Sequence, residues 1–215
     1  ALVQFDGYYA SDINTYETLA GRTNIPLQNV LIDGFTGVPT GNGGEVEVSL
    51  DIEMLVSMAP ALAKIIVYEG NPYNVIPNDV LNRIASDNSA RQISCSWGWN
   101  EGPNAKTDQI FQEMALQGQT FFTASGDSDA YPSGSIDDPS LDGTPSDNPY
   151  LTSVGGTTLT MDGTGASFAS ETVWNWGITE GRDGIGSSGG YSSYYSIPSW
   201  QTNINMTARG GLPTA

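Results

Sequence analysis

A chain of 215 residues is long enough to bury one good core, so a single domain over residues 1–215 is predicted. It carries 7 Lys+Arg against 24 Asp+Glu, a formal charge of −17, and no histidine. Too few cations are present to neutralise phosphates or hold an anionic surface, which excludes nucleic acid and membranes as partners. Without imidazole, the usual base of a hydrolytic triad is also missing. In acid, where carboxylates with pKa values around 4 take up protons, only the few bases would remain charged. A low basic content therefore suits an acidic milieu, and an ordinary acidic or halophilic secreted protein is the alternative.

The first half alternates short apolar runs with helical stretches. Leu2-Val3-Gln4-Phe5 reads as a strand, and Ser11 or Asp12 is placed to cap a helix that runs to Gly21. Strands follow at Asn29–Ile32 and Lys64–Tyr68. Between them, Glu45–Met54 alternates polar and apolar residues like a strand, whereas its continuation through Ala59 has the length of a helix. Either way, Glu47 and Asp51 share a face, because residues four apart do so in both structures. Pro77 opens a helix to about Ser86, Ile93–Trp97 is a strand, and a helix from about Asn104 to Gln117 stops at Gly118. Thr120–Ala124 is the next strand. This order predicts an α/β fold with a parallel sheet flanked by helices. In the second half, Tyr150–Val154 and Thr157–Met161 are short strands around Gly155-Gly156, and no element is predicted beyond Gly163.

Several motifs have plain readings. Gly184-x-Gly186-x-x-Gly189 matches a dinucleotide fingerprint, but Thr179–Asp183 before it is no strand. Gly186-x-Ser188-x-Gly190 matches a nucleophile elbow that lacks its histidine; a flexible Gly/Ser loop is predicted there. The acidic stretch Asp127–Asp142 lacks calcium-loop spacing and reads as solvated. The lone Cys95 cannot form an internal disulfide and reads as a small buried hydrophobe. No run is apolar and long enough to span a membrane, and none reads as a signal peptide. Asn205-Met206-Thr207 fits a glycosylation acceptor.

Glu47 and Asp51, Ser94-Cys95-Ser96-Trp97-Gly98 and Ala124-Ser125-Gly126-Asp127-Ser128 occur in one ordered series. With them come Ala1–Gly7, Ala59-Pro60-Ala61, Val154-Gly155-Gly156-Thr157, Glu171–Asn175, Ser188-Gly189-Gly190 and Ile197–Gln201. In these motifs the chain resembles the sedolisin family of serine-carboxyl peptidases. The resemblance implies a subtilisin-like fold and acid-active hydrolysis of peptides. It assigns Glu47 as general base, Asp51 as its supporting acid and Asp127 as oxyanion-hole donor. Ser96, Trp97 and Gly98 would pair with the substrate backbone.

A serine hydroxyl needs a base within hydrogen-bond reach. A glutamate can serve where imidazole would be protonated, and two neighbouring carboxyls titrate as a pair. An aspartic acid donates to an oxyanion only while protonated, which ties that role to acid pH.

The family's nucleophile lies in a Gly-Thr-Ser motif, and none occurs in these 215 residues. The chain therefore resembles the central part of a catalytic domain, incomplete at both ends. Its serine segment is expected in a second chain or elsewhere in the encoded protein, and the chain alone is expected to be inactive. Calcium is implied by the resemblance for the full domain, with its ligands outside this chain; no metal site is predicted here. Secretion into an acidic environment is the expected localisation. Two rival readings are a non-catalytic peptide-binding descendant and a carbohydrate-binding module. The second draws on five Trp and ten Tyr, but the α/β pattern places many of these in a core.

Overall fold

The computed structural model describes residues 1–99, 104–130, 145–177, 184–190, 192 and 194–203. The chain resolves into two compact units, Ala1–Trp97 with Asn104–Phe122, and Gly98–Pro103 with Thr123–Ala215.

The first unit is α/β. Its strands are β1 (Leu2–Gln4), β2 (Leu27–Leu31), β3 (Ile65–Glu69) and β4 (Gln92–Cys95), followed by β5 (Thr120–Ala124), which runs on into the second unit. Helices α1 (Ala10–Leu19), α2 (Gly44–Met58), α3 (Pro77–Asp87) and α4 (Ala105–Leu116) alternate with them. With β7 (Thr152–Val154) the sheet order is β2-β3-β1-β4-β5-β7, and β1 pairs in parallel with both β3 and β4. The expected α/β fold is the observed one. Strand β3 is buried along its whole length, as a central parallel strand covered on both faces must be.

Register sorts the side chains between two faces. Leu2 pairs with Val67 and Ser94, and Gln4 with Glu69. Leu2, Ile65 and Val67 pack with Val48, Ile52 and Val56 of α2 and Ile13 of α1. On the opposite face Tyr68 donates to Asp87 of α3 at 3.1 Å, and Phe111 of α4 meets Phe121 of β5 edge-to-face. Cys95 is buried there, as expected.

The ambiguous stretch from Glu45 onward is helical. Apolar residues at every second position generate two stripes four residues apart. One, Val48–Ile52–Val56, is buried; the other, Val46–Leu50–Met54–Met58, is exposed. The expected cap of α1 is corrected: Tyr9 is the N-cap and makes no side-chain cap bond, while Ser11 Oγ donates to its neighbour Asp12. Asn104 does cap α4, accepting from Lys106 N and Thr107 N.

In the second unit, β6 (Ser128–Ala130) pairs in parallel with β10 (Gly186–Gly189), and β8 (Thr157–Asp162) pairs antiparallel with β9 (Ser167–Val173). Among the described residues beyond Gly163, predicted without elements, are strands β9 and β10 and a short 3-10 turn at Ser199–Gln201. The Gly/Ser stretch at 186–190, predicted as a flexible loop, is corrected to a paired strand. Close contact requires glycine at Gly186, where a Cβ would lie 2.8 Å from Trp174 O and against the Asp129 carboxylate, and at the preceding Gly184, which also faces that carboxylate. The sequon at Asn205 and most of the acidic stretch, including Asp142, lie outside the described residues.

Candidate active site

The loop Gly41-Asn42-Gly43 feeds α2 through a turn that needs glycine, since Gly43 has φ +100°. Asn42 Oδ1 accepts from Gly44 N, and Glu45 Oε2 accepts from Gly43 N, satisfying amides at the helix start. Burial of Val48, Ile52 and Val56 against the sheet fixes the rotation of α2. Glu47 and Asp51, each one position earlier, lie along the border of that stripe, both partly buried. The structure therefore brings these two predicted residues onto one face, one turn apart.

Asp51 is held from both sides. Ser96 Oγ donates to its Oδ1 at 2.7 Å and Gln4 Nε2 to its Oδ2 at 2.7 Å. Trp97 Nε1–H donates to Gln4 Oε1 at 2.8 Å. Because an indole N–H can only donate, it sets which end of the Gln4 amide faces Asp51. Trp97 also packs edge-to-face on Phe5, with ring centroids 5.7 Å apart. Burial pushes the Asp51 carboxyl above its ordinary range, and the bonds from Ser96 and Gln4 oppose that rise. Burial thus favours the protonated form of Asp51.

The predicted roles of Ser96 and Trp97 gain a second side. The Ser96 hydroxyl is held by Asp51 and the Trp97 indole N–H by Gln4. Gly98 is exposed, immediately beyond them. Gln4 was not singled out from the sequence. The signal was a buried amide inside the apolar run Leu2–Phe5, since a polar side chain in a core strand needs a partner.

Asp127 belongs to the second unit. It follows β5, where Ser125 N donates to Val154 O at 3.0 Å and Gly126 turns with φ +108°. Its backbone is clamped by β10: Gly186 N donates to Asp127 O, Ser188 N to Gly126 O, and Ser188 Oγ accepts from Ser128 N at 2.9 Å. Its side chain is exposed. Among the described residues no group of three or more Asp, Glu or Cys side chains is arranged to hold a metal ion.

A parallel sheet thus carries a carboxyl pair on its α2 side. The structure superposes on Pseudomonas sedolisin, a serine-carboxyl proteinase solved with two molecules of pseudo-iodotyrostatin. The TM-score is 0.81 and the identity 28%, covering 99% of this chain and 61% of that one.

In sequence the chain is 32% identical to sedolisin of Pseudomonas sp. and 32% to kumamolisin of Bacillus sp., each over 214 residues. It is 30% identical to xanthomonalisin of Xanthomonas sp. over 242 residues. These alignments cover 91–93% of this chain and 29–36% of the relatives, so the chain spans about a third of their length. No protein-family model matches it. The chain is a homologue of the sedolisin-type serine-carboxyl peptidases.

Proposed function

We propose that the protein containing this chain is an acid-active peptidase in which Glu47 takes the proton of a serine nucleophile and Asp51 supports it. The observation that carries this reading is the partly buried Asp51 carboxyl, bonded to Ser96 and Gln4, one helical turn from Glu47 in a homologue of serine-carboxyl peptidases. Glu47 acts as base toward the serine hydroxyl and returns the proton to the leaving amine. Asp51, anchored by two donors, keeps its place while the pair shares the proton. Asp127, when protonated, donates to the oxyanion of the tetrahedral intermediate. The backbone of Ser96, Trp97 and Gly98 runs alongside the substrate and pairs with it in β fashion. The serine is supplied by sequence outside these 215 residues.

Acid operation fits the titration of the described groups. Asp51, Glu53, Glu69 and Asp79 are all raised above their ordinary ranges, chiefly by burial, so the fold tolerates acid better than alkali. The same balance supports the proposal that the protein works in an acidic, extracellular milieu. In this reading calcium is bound outside the described residues and takes no part in the chemistry of Glu47 and Asp51.

The test is acid proteolysis by the full-length protein. Glu47→Gln and Asp51→Asn are expected to abolish peptide hydrolysis at acid pH while leaving the folded state intact by circular dichroism. Wild-type rates in the Glu47→Gln variant remove the assignment.

A further inference from the structure

Outside the Asp51 network, the first unit buries a second acidic pair. Glu69, the last residue of β3, is fully buried, and neither of its carboxylate oxygens has a hydrogen-bond partner. An unpaired charge in such a place is far costlier than a neutral acid. Asp6, just past β1, is equally buried but fully engaged. Its Oδ1 accepts from Gly7 N at 2.8 Å and Thr40 N at 3.0 Å, and its Oδ2 accepts from Thr40 Oγ1 at 2.8 Å.

The wall around the pair is tight. A Cβ on Gly7 would lie 2.2 Å from Gly37 O, and one on Gly37 would lie 3.5 Å from Glu69 Oε2. A Cβ on Gly44, the first residue of α2, would lie 2.9 Å from Asp6 Oδ2. Asp6 thus ties the segment through Thr40 to the start of the helix that carries Glu47 and Asp51.

We propose that Glu69 is a proton switch built into the first unit: while it carries a proton the seal at Asp6, Gly37 and Thr40 holds, and when it ionises beside Asp6 the entry to α2 loosens.

Among the described residues, the groups that face Glu69 add no compensating cation. From β1 it meets neutral Gln4 across the strand register, and from β2 it meets Leu31. The segment after β1 contributes Asp6 and Tyr8, the latter's hydroxyl raised in part by Glu69 itself. The loop before α2 contributes Gly37. Burial first, then the Asp6 charge, push the Glu69 carboxyl up to about 8.

The sign follows directly. A carboxyl raised in the folded state binds its proton more tightly there than in the unfolded chain. Its contribution is therefore fully present below the ordinary carboxylate range and is lost as pH rises toward about 8. Across that window one extra bound proton weakens folding roughly tenfold per pH unit, or about a hundredfold over two units.

The experiment is chemical denaturation of the full-length protein from mildly acid to neutral pH, wild type against Glu69→Gln. It is independent of the proposed activity, because it reads stability alone. The expected result is a steep loss of stability in wild type that is reduced by about a hundredfold in folding constant in Glu69→Gln over two pH units. Equal slopes in the two proteins overturn the switch. Should Glu69→Gln fail to fold, carboxyl carbon-13 titration of the wild-type protein reads Glu69 directly. A midpoint near neutral pH supports the proposal, and one in the ordinary carboxylate range overturns it. Stabilisation of wild type but not Glu69→Gln by added calcium at neutral pH would mark the pair as a cation site and also overturn it.

Discussion

Replacing Ser96 with alanine isolates one bond of the Asp51 network. The Ser96 Oγ to Asp51 Oδ1 distance of 2.7 Å is that of a strong hydrogen bond to a carboxyl group. Such a bond stabilises by about 1.5–3 kcal/mol when the acceptor is charged and by about 0.5–1.5 kcal/mol when it is neutral. The difference, about 1–1.5 kcal/mol, favours ionised Asp51, so its loss raises the Asp51 pKa further. Burial already raises that pKa, so Ser96→Ala adds to an existing shift.

Asp51 therefore contributes most to stability in strong acid, and this contribution is lost as pH rises through its folded pKa. Ser96→Ala should deepen the loss, costing more stability near neutral pH than in acid. Carboxyl carbon-13 titration of Asp51 in both proteins, with urea unfolding at the two pH extremes, measures the effect. An Asp51 midpoint that does not move, or a stability cost independent of pH, would refute the claim that Ser96 tunes this carboxyl.

Further outcomes are expected from the same geometry. Gln4→Leu removes a donor from Asp51 and strands Trp97 Nε1, and should cost about 1–3 kcal/mol in urea unfolding with a blue-shifted or altered Trp97 emission. Ile52→Ala empties a fully buried site on α2 and should cost about 2–5 kcal/mol, measured in the same way. Asp127→Asn should lower acid kcat by about 10²–10³ with KM little changed if, as proposed, Asp127 acts on the oxyanion alone. Gly37→Ala, at φ +75° against Leu31 and Glu69, should destabilise by more than about 1 kcal/mol in thermal unfolding.

Much of the first unit was legible because buried parallel strands announce themselves. Ile65–Tyr68 and Thr120–Ala124 are apolar runs bounded by polar turns, and Pro77 and Gly118 mark helix ends that the structure keeps. Helix α2 was less clear, because apolar residues at alternate positions fit a strand and also a helix with two apolar stripes. Strands β9 and β10 escaped notice for a different reason. Ser167–Val173 is exposed along its length and Gly186–Gly189 has no apolar side chain, so neither bears the hydrophobic signal of a core strand.

At the site, the spacing of Glu47 and Asp51 carried the reading through that ambiguity. Gln4 and Glu69 were hidden by their neighbours. Each is a polar residue at the end of an apolar strand, and their pairing across β1 and β3 appears only once the register is known.

In the proposed function, carboxyl chemistry replaces imidazole in peptide hydrolysis. The most direct measurement is kcat/KM of the full-length protein for a peptide substrate across the acid-to-neutral range. We expect activity to be high in acid and to fall away toward neutrality, without dependence on any residue able to act as a neutral imidazole. A rate that climbs from acid to alkaline pH, as for an imidazole base, would contradict it.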